Sequence, residues 1–138
     1  MYVDTHTHFY DEWLYPEADA AVERAVGAGV GKMIQADIDS LERPRMWEVG
    51  RRHPGVLFQM LGLYPGSVTP ESWKEELDIV HQIASNVDGN FPGPIVAIGE
   101  IGLDYHENRE NADIQKEAFR IQLELASAMN LPVNIHLR

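Results

Sequence analysis

The sequence predicts an α/β fold built from parallel β-α-β units, and two observations carry that prediction. Short apolar runs alternate with amphipathic segments five times along the chain, without an internal repeat or a linker. Such alternation is what parallel strands joined by crossover helices leave in a sequence. Polar residues with metal-binding chemistry, His6, His8, Glu100 and His136, also stand at the carboxyl ends of the first, fourth and fifth apolar runs. In a (β/α)8 barrel of the TIM type, residues of different strands converge at that edge. The placement therefore favours such a barrel over an open doubly wound sheet, with about five of its eight βα units in this chain.

Each element has its own justification. Tyr2 to His6 alternates into a first strand, and Pro16 opens an Ala-rich helix in which Ala18, Val22, Ala25 and Val26 recur at helical spacing before Gly27 and Gly29. Lys32 to Ala36 is a second apolar run. A polar, weakly helical stretch follows from Ser40 to Arg52, which Pro44 must enter near its first turn. Val56 to Leu61 reads as a third strand. Thr69-Pro70 predicts a helix start, with Thr as N-cap and Pro at the first helical position, and Trp73, Leu77, Val80 and Ala84 form its buried stripe. Ile95 to Ile98 is the fourth strand, with Val96, Ile98 and Glu100 placed on one face by parity. From Ala112 to Asn130 the set Ile114, Ala118, Ile121, Leu125 and Ala128 marks the clearest amphipathic helix, and Pro132 to Leu137 follows as the fifth strand, with Asn134 and His136 on one face.

Composition narrows the function classes. The 138 residues suit one domain spanning 1–138, and 44% hydrophobic content suffices for a core. No apolar stretch approaches the roughly 20 residues of a membrane span, and residues 1–7 lack the charged and apolar regions of a targeting segment. A soluble protein that interacts with no membrane is expected. The chain has no cysteine, which leaves histidine and carboxylate as metal ligands and fits a reducing cytoplasm. A formal net charge of −11 repels a phosphate backbone and argues against sequence-specific duplex binding. A phosphate substrate stays compatible with that charge when bound cations invert the local field.

The chemistry-bearing residues then form one set. His6 and His8, two apart on a strand, point to the same face and can close on one cation. With Glu100 and His136 they make a nitrogen and oxygen ligand set suited to zinc, manganese or magnesium. A carboxylate such as Glu100 can bridge two cations, and two cations would clamp a phosphoryl oxygen and acidify a shared water, which is hydrolytic chemistry.

Asp4-Thr5-His6-Thr7-His8, the segment from Ala97 to Tyr105, the helix with Gln115, Phe119, Gln122 and Leu123, and Leu131 to His136 resemble the TatD family of metal-dependent deoxyribonucleases, in the family's order and spacing. The resemblance implies a barrel of the amidohydrolase superfamily, a two-metal site and hydrolysis of DNA phosphodiesters. Carried over residue by residue, it makes His6 and His8 ligands of one metal, Glu100 the catalytic bridge and His136 a ligand of the second. It also places Asp104 and Arg138 where the family has residues that orient ligands or meet substrate. The chain departs from the family at Gly62-Leu63-Tyr64-Pro65, where a Gly-x-His-Pro motif is usual. Tyr64 can still donate a hydrogen bond to a phosphate. The family's further His and Asp, which follow later strands, have no counterpart up to Arg138.

Several residues read as less than functional. His53 and His81 lie in helical segments away from the strand ends, His106 sits in the loop after strand four, and Asp4 shares parity with His6 and is placed to orient it. Five strands cannot close an eight-stranded barrel, so open edges on strands one and five are expected. A second copy or a missing carboxyl-terminal half would cover them. The expected activity is DNA phosphodiester hydrolysis. Other amidohydrolase-like chemistry, on acyl or phosphomonoester substrates, or an inactive half-barrel that survives by association, are the alternatives.

Overall fold

The structure is a computed structural model that describes residues 1–85, 89 and 91–138. Five parallel strands lie in sequence order, β1 (Tyr2–Thr7), β2 (Val30–Gln35), β3 (Leu57–Leu61), β4 (Ile95–Leu103) and β5 (Val133–Leu137). The connections carry helices α1 (Ala18–Gly27), α2 (Arg43–Arg52), α3 (Trp73–Ala84) and α4 (Ala112–Met129). Together they form a half-barrel, the arrangement that the alternating pattern predicts.

The main core lies between sheet and helices, where Val22, Met33, Met46, Leu57, Leu61, Ile98, Ile101 and Ala126 pack together. A smaller cluster of Ala36, Met60 and Ala97 lines the other face. These two sets show which way each strand residue points, and on β4 the simple parity rule breaks. Ile98 and Ile101, three residues apart, both belong to the helix-side core, and the β4–β5 register shifts between them. One extra residue in a strand reverses the faces that follow. Glu100 accordingly leaves the face of Ile98 and joins the interior rim, which corrects the parity expected from the sequence. Within this segment the Gly99–Glu100 peptide bond is cis. Gly102, at φ 141°, runs so close to β5 that a Cβ there would stand 2.0 Å from the His136 carbonyl oxygen, so only glycine fits.

Two helices differ from expectation. The Thr69-Pro70 pair forms a turn, and α3 begins at Trp73, because the Thr69 hydroxyl bonds the Ser72 hydroxyl (2.7 Å) and the Thr69 carbonyl accepts from the Trp73 N–H. The buried ridge of α4 is Gln115, Ala118, Gln122 and Ala126, with Ala128 exposed. Its two glutamines serve as loop anchors. Gln122 bonds both the N–H and the carbonyl of Leu63, and Gln115 does the same for Asp104 while also donating to the Asn108 carbonyl. Asn130 ends the helix in the left-handed conformation at φ 53°, and Pro132 prevents its resumption.

Under the rim lies a fully buried ion pair that the sequence did not reveal. Arg43 Nε donates to Asp37 Oδ2 at 2.7 Å, the Gly62 N–H donates to the same oxygen, and Arg43 Nη2 donates to the Gly62 carbonyl. Burial pushes the Asp37 carboxyl up to about 6, although Arg43 pulls it the other way. The Asp37 main chain in turn holds the strand that bears Glu100. Its N–H donates to the Gly99 carbonyl and its carbonyl accepts the Glu100 N–H, both at 3.1 Å.

Removing one member of such a pair leaves a buried charge without compensation, which costs about 3 to 5 kcal/mol. Arg43→Met is therefore expected to lower unfolding stability by about that amount in urea titrations. A loss below about 1 kcal/mol, the level of an exposed pair, would show that the pair does not hold the rim.

Candidate metal centre

Six side chains from four strand ends meet at the interior rim. β1 supplies His6, and His8 lies just beyond it. β4 supplies Glu100, and Asp104 follows that strand. β5 supplies His136, and the loop after β3 supplies Tyr64. His8, Tyr64, Glu100 and His136 border a cleft of about 490 Å³ that also reaches Asp11, Ile38 and Arg138.

His6 Nε2 and His8 Nε2 are 3.0 Å apart, and Glu100 Oε2 lies 3.4 Å from the first and 3.5 Å from the second. Ligands held at about 2.1 Å from one cation, meeting at 90° to 110°, stand about 3.0 to 3.4 Å from each other. The three atoms thus already have the spacing of a common coordination sphere. Among the described residues these three form the one group whose ligand atoms lie within 4.8 Å of one another.

Burial pushes the Glu100 carboxyl up, but hydrogen bonding to His8 and the neighbouring His6 and His136 outweigh it and hold the group below the usual carboxylate range. Glu100 is thereby kept anionic while only 7% exposed.

His136 stands beside this group rather than in it. Its Nδ1 lies 2.8 Å from Glu100 Oε1 and its Nε2 lies 2.8 Å from Asp104 Oδ2. Asp104, placed among the substrate-contacting residues by the sequence reading, is fully buried. Its Oδ1 accepts the N–H groups of His106 and Glu107, and its Oδ2 faces Tyr64 Oη (3.2 Å), His136 and the Arg138 guanidinium (3.0 Å). Burial raises its carboxyl, yet the Glu107 N–H, Arg138 and His136 more than reverse the effect and leave it far below the ordinary range. With its oxygens taken internally, Asp104 orients His136 and Arg138 instead of reaching into the cleft.

Arg138 keeps its side chain 47% exposed while bonded to Asp104 and, at 2.5 Å, to Glu107. Tyr64 stacks edge-on against His136 at 5.0 Å. Burial and the Asp104 charge push its hydroxyl up to about 12, so it remains a donor at neutral pH.

The lesser histidines behave as expected. His53 pairs with Asp19 at 2.6 Å, and His81 Nδ1 bonds the Leu77 carbonyl within its own helix. Asp4 accepts the main-chain N–H of His6 at 3.1 Å, so it supports the strand and does not touch the ring.

A family model described as TatD related DNase matches residues 3–138. The chain belongs to the TatD family. Among curated TatD-like relatives, it is 31% identical over 138 residues to the uncharacterized metal-dependent hydrolase YabD of Bacillus subtilis, covering 51% of that protein. It is also 31% identical over 122 residues to the 3'-5' ssDNA/RNA exonuclease TatD of Erwinia tasmaniensis, covering 88% of this chain and 44% of the relative. The crystal structure of the TatD homologue YjjV from Escherichia coli superposes with a TM-score of 0.78 at 30% identity, over 99% of this chain and 51% of that one. This TatD chain spans about half the length of the relatives it matches.

Sequence reasoning missed two further participants, Tyr10 and Asn134, whose rings and amides meet the histidines only after folding. His8 Nδ1 lies 3.0 Å from Tyr10 Oη and His6 Nδ1 lies 2.8 Å from Asn134 Oδ1.

Glu100→Gln keeps the volume and removes the charge of the only carboxylate in the three-residue group. Zinc affinity measured by calorimetry should fall by more than the roughly 10- to 100-fold that loss of an outer hydrogen-bond partner costs. Unchanged affinity in that variant would remove Glu100 from the ligand set.

Proposed function

We propose that residues 1–138 are the amino-terminal portion of a TatD-type barrel that hydrolyses DNA phosphodiesters with divalent cations, zinc, manganese or magnesium, two in the complete site. The carrying observation is the convergence of His6 Nε2, His8 Nε2 and Glu100 Oε2 beside a cleft that a half-exposed arginine also borders. The name of the Erwinia relative supports a nucleic-acid substrate, and that of YabD supports metal dependence.

A cation held there supplies positive charge to a phosphoryl oxygen and acidifies a water. The chain's own groups do the rest. His6 and His8 would hold the cation through two ring nitrogens on one side, and Glu100 would bring the compensating negative charge through Oε2. Its other oxygen, Oε1, faces His136 at 2.8 Å, which supports the reading that Glu100 would hold both cations. Asp104 faces His136 Nε2, and Nδ1, which lies 2.8 Å from Glu100 Oε1, is the atom that would hold a second cation. Arg138 presents a guanidinium to an incoming phosphate, and Tyr64 presents a hydroxyl. On a chain with a net charge of −11, these donors together with bound cations would create a local field that favours a polyanion.

The sheet edges favour a companion reading. Val133, Ile135 and Leu137 on β5 are 37%, 52% and 77% exposed, and Tyr2 and Val3 on β1 are 73% and 52% exposed. Open parallel edges with bare apolar side chains call for cover. A carboxyl-terminal half or a second copy would provide it, and sedimentation of the 138-residue chain distinguishes a bare monomer from an assembly.

In the complete protein with zinc, manganese or magnesium, single-stranded DNA is expected to be cleaved at rates well above those on an aryl phosphomonoester or an acyl ester. Chelation should abolish the cleavage, and Glu100→Gln should lower it by at least about 10²-fold. Faster turnover of the phosphomonoester or acyl ester would move the assignment to another amidohydrolase-like chemistry. Undiminished DNA cleavage by Glu100→Gln at limiting metal would contradict the bridging role.

A further inference from the structure

The two histidines of the metal group each have one ring nitrogen turned outward from it, and what those nitrogens meet decides which tautomer each ring adopts. Tyr10 Oη donates its only proton to the Ala36 carbonyl. It can therefore only accept from His8, so His8 Nδ1 must carry a proton to make its 3.0 Å contact. Tyr10 is 1% exposed, so no competing solvent partner reaches the phenol. On the other ring, His6 Nδ1 faces Asn134 Oδ1, an acceptor, at 2.8 Å and must likewise carry a proton. A neutral imidazole with its proton on Nδ1 has a bare lone pair on Nε2. Each ring therefore turns its Nε2 toward the same point, 3.0 Å apart with the Glu100 anion alongside, where a bound cation would replace the proton that the Nε2–Nε2 hydrogen bond shares.

We propose that Asn134 and Tyr10 are positioning residues that hold His6 and His8 through a proton on Nδ1, so that the two Nε2 atoms and one carboxylate oxygen are aimed at a common cation before it binds. This inference rests on the metal-dependent reading above and adds the residues that prepare the site. The two locks differ in kind. Tyr10 sits two residues beyond His8 and reaches down to the end of β2. Asn134 comes from β5, the opposite edge of the sheet from β1, so its contact with His6 spans 128 residues of sequence. The half-barrel must be curled for that contact to exist, and His6 is correctly prepared only in the curled sheet. Without the lock, the Nε2–H tautomer would place a proton where the ligand bond must form.

The test uses the metal-free protein with 15N-labelled histidine, in which two-bond proton–nitrogen correlations at a pH of about 8.5, above the usual imidazole range, report the tautomer of each ring. In the wild type, His6 and His8 are expected to show protonated Nδ1. Asn134→Leu should return His6 to a mixture in which Nε2–H is prominent while leaving His8 unchanged, and Tyr10→Phe should do the reverse. Asn134→Asp keeps an acceptor oxygen and should preserve the wild-type pattern, which separates loss of the lock from general damage to β5. Zinc titration of the same samples is expected to show roughly 10- to 100-fold weaker binding for Asn134→Leu and near wild-type binding for Asn134→Asp.

A His6 that keeps its Nδ1–H signature in Asn134→Leu would overturn the inference, as would a changed tautomer with unchanged zinc affinity. A wild type with the expected tautomers that binds no zinc would instead overturn the metal-dependent reading, so the two failures are told apart.

Discussion

Two imidazole nitrogens and a carboxylate oxygen held 3.0 to 3.5 Å apart need a shared proton or a cation between them, and this constraint organises the rest of the molecule. The curled sheet brings β1 within reach of β5, the end of β2 clamps the backbone at Glu100, and α4 pins the loops that carry Tyr64 and Asp104. Each of these contacts has the effect of keeping an electron-rich cluster assembled. The apolar layer between sheet and helices supplies the rigidity, and the interior rim uses it.

Charge follows the same logic. Glu100 and Asp104 are both buried and both held anionic, in each case because hydrogen-bond donors outweigh desolvation. They serve different ends. Glu100 has an oxygen free to face the histidine pair, whereas Asp104 gives both oxygens to the protein and thereby fixes His136 and Arg138. The Asp37–Arg43 pair beneath them is the complementary case, a buried charge compensated by another and used to hold backbone in place. The chain belongs to the TatD family, and its Tyr10 and Asn134 meet the rings of His8 and His6 at the candidate metal group.

The fold was largely legible, because strand–helix alternation and strand-end polarity are local patterns that survive in a single sequence. All five strands and the four helices between them fall where periodicity places them, with shifts at their ends. The principal failures were of register and partnership. Parity put Glu100 beside Ile98, and the irregular pairing before Ile101 reversed it. Periodicity alone makes the stripe on α4 apolar, whereas its buried ridge includes Gln115 and Gln122, which only the family resemblance singled out and whose polar ends are satisfied by loop backbone distant in sequence. His6, His8 and Glu100 were recognisable by residue type and spacing. Asn134 and Tyr10 were not, since an amide and a phenol acquire meaning only from the ring nitrogen they happen to face, and nothing in the sequence marks Asp37 and Arg43 as a pair that folding buries.

Anomalous diffraction from crystals grown with zinc, recorded on both sides of the zinc absorption edge, tests the central claim most directly. The account predicts an anomalous peak about 2.0 to 2.2 Å from His6 Nε2, His8 Nε2 and Glu100 Oε2, with both Nδ1 atoms still facing Tyr10 and Asn134. Zinc bound through Nδ1 of either ring, zinc at the His53–Asp19 pair instead, or no peak at the rim would contradict it.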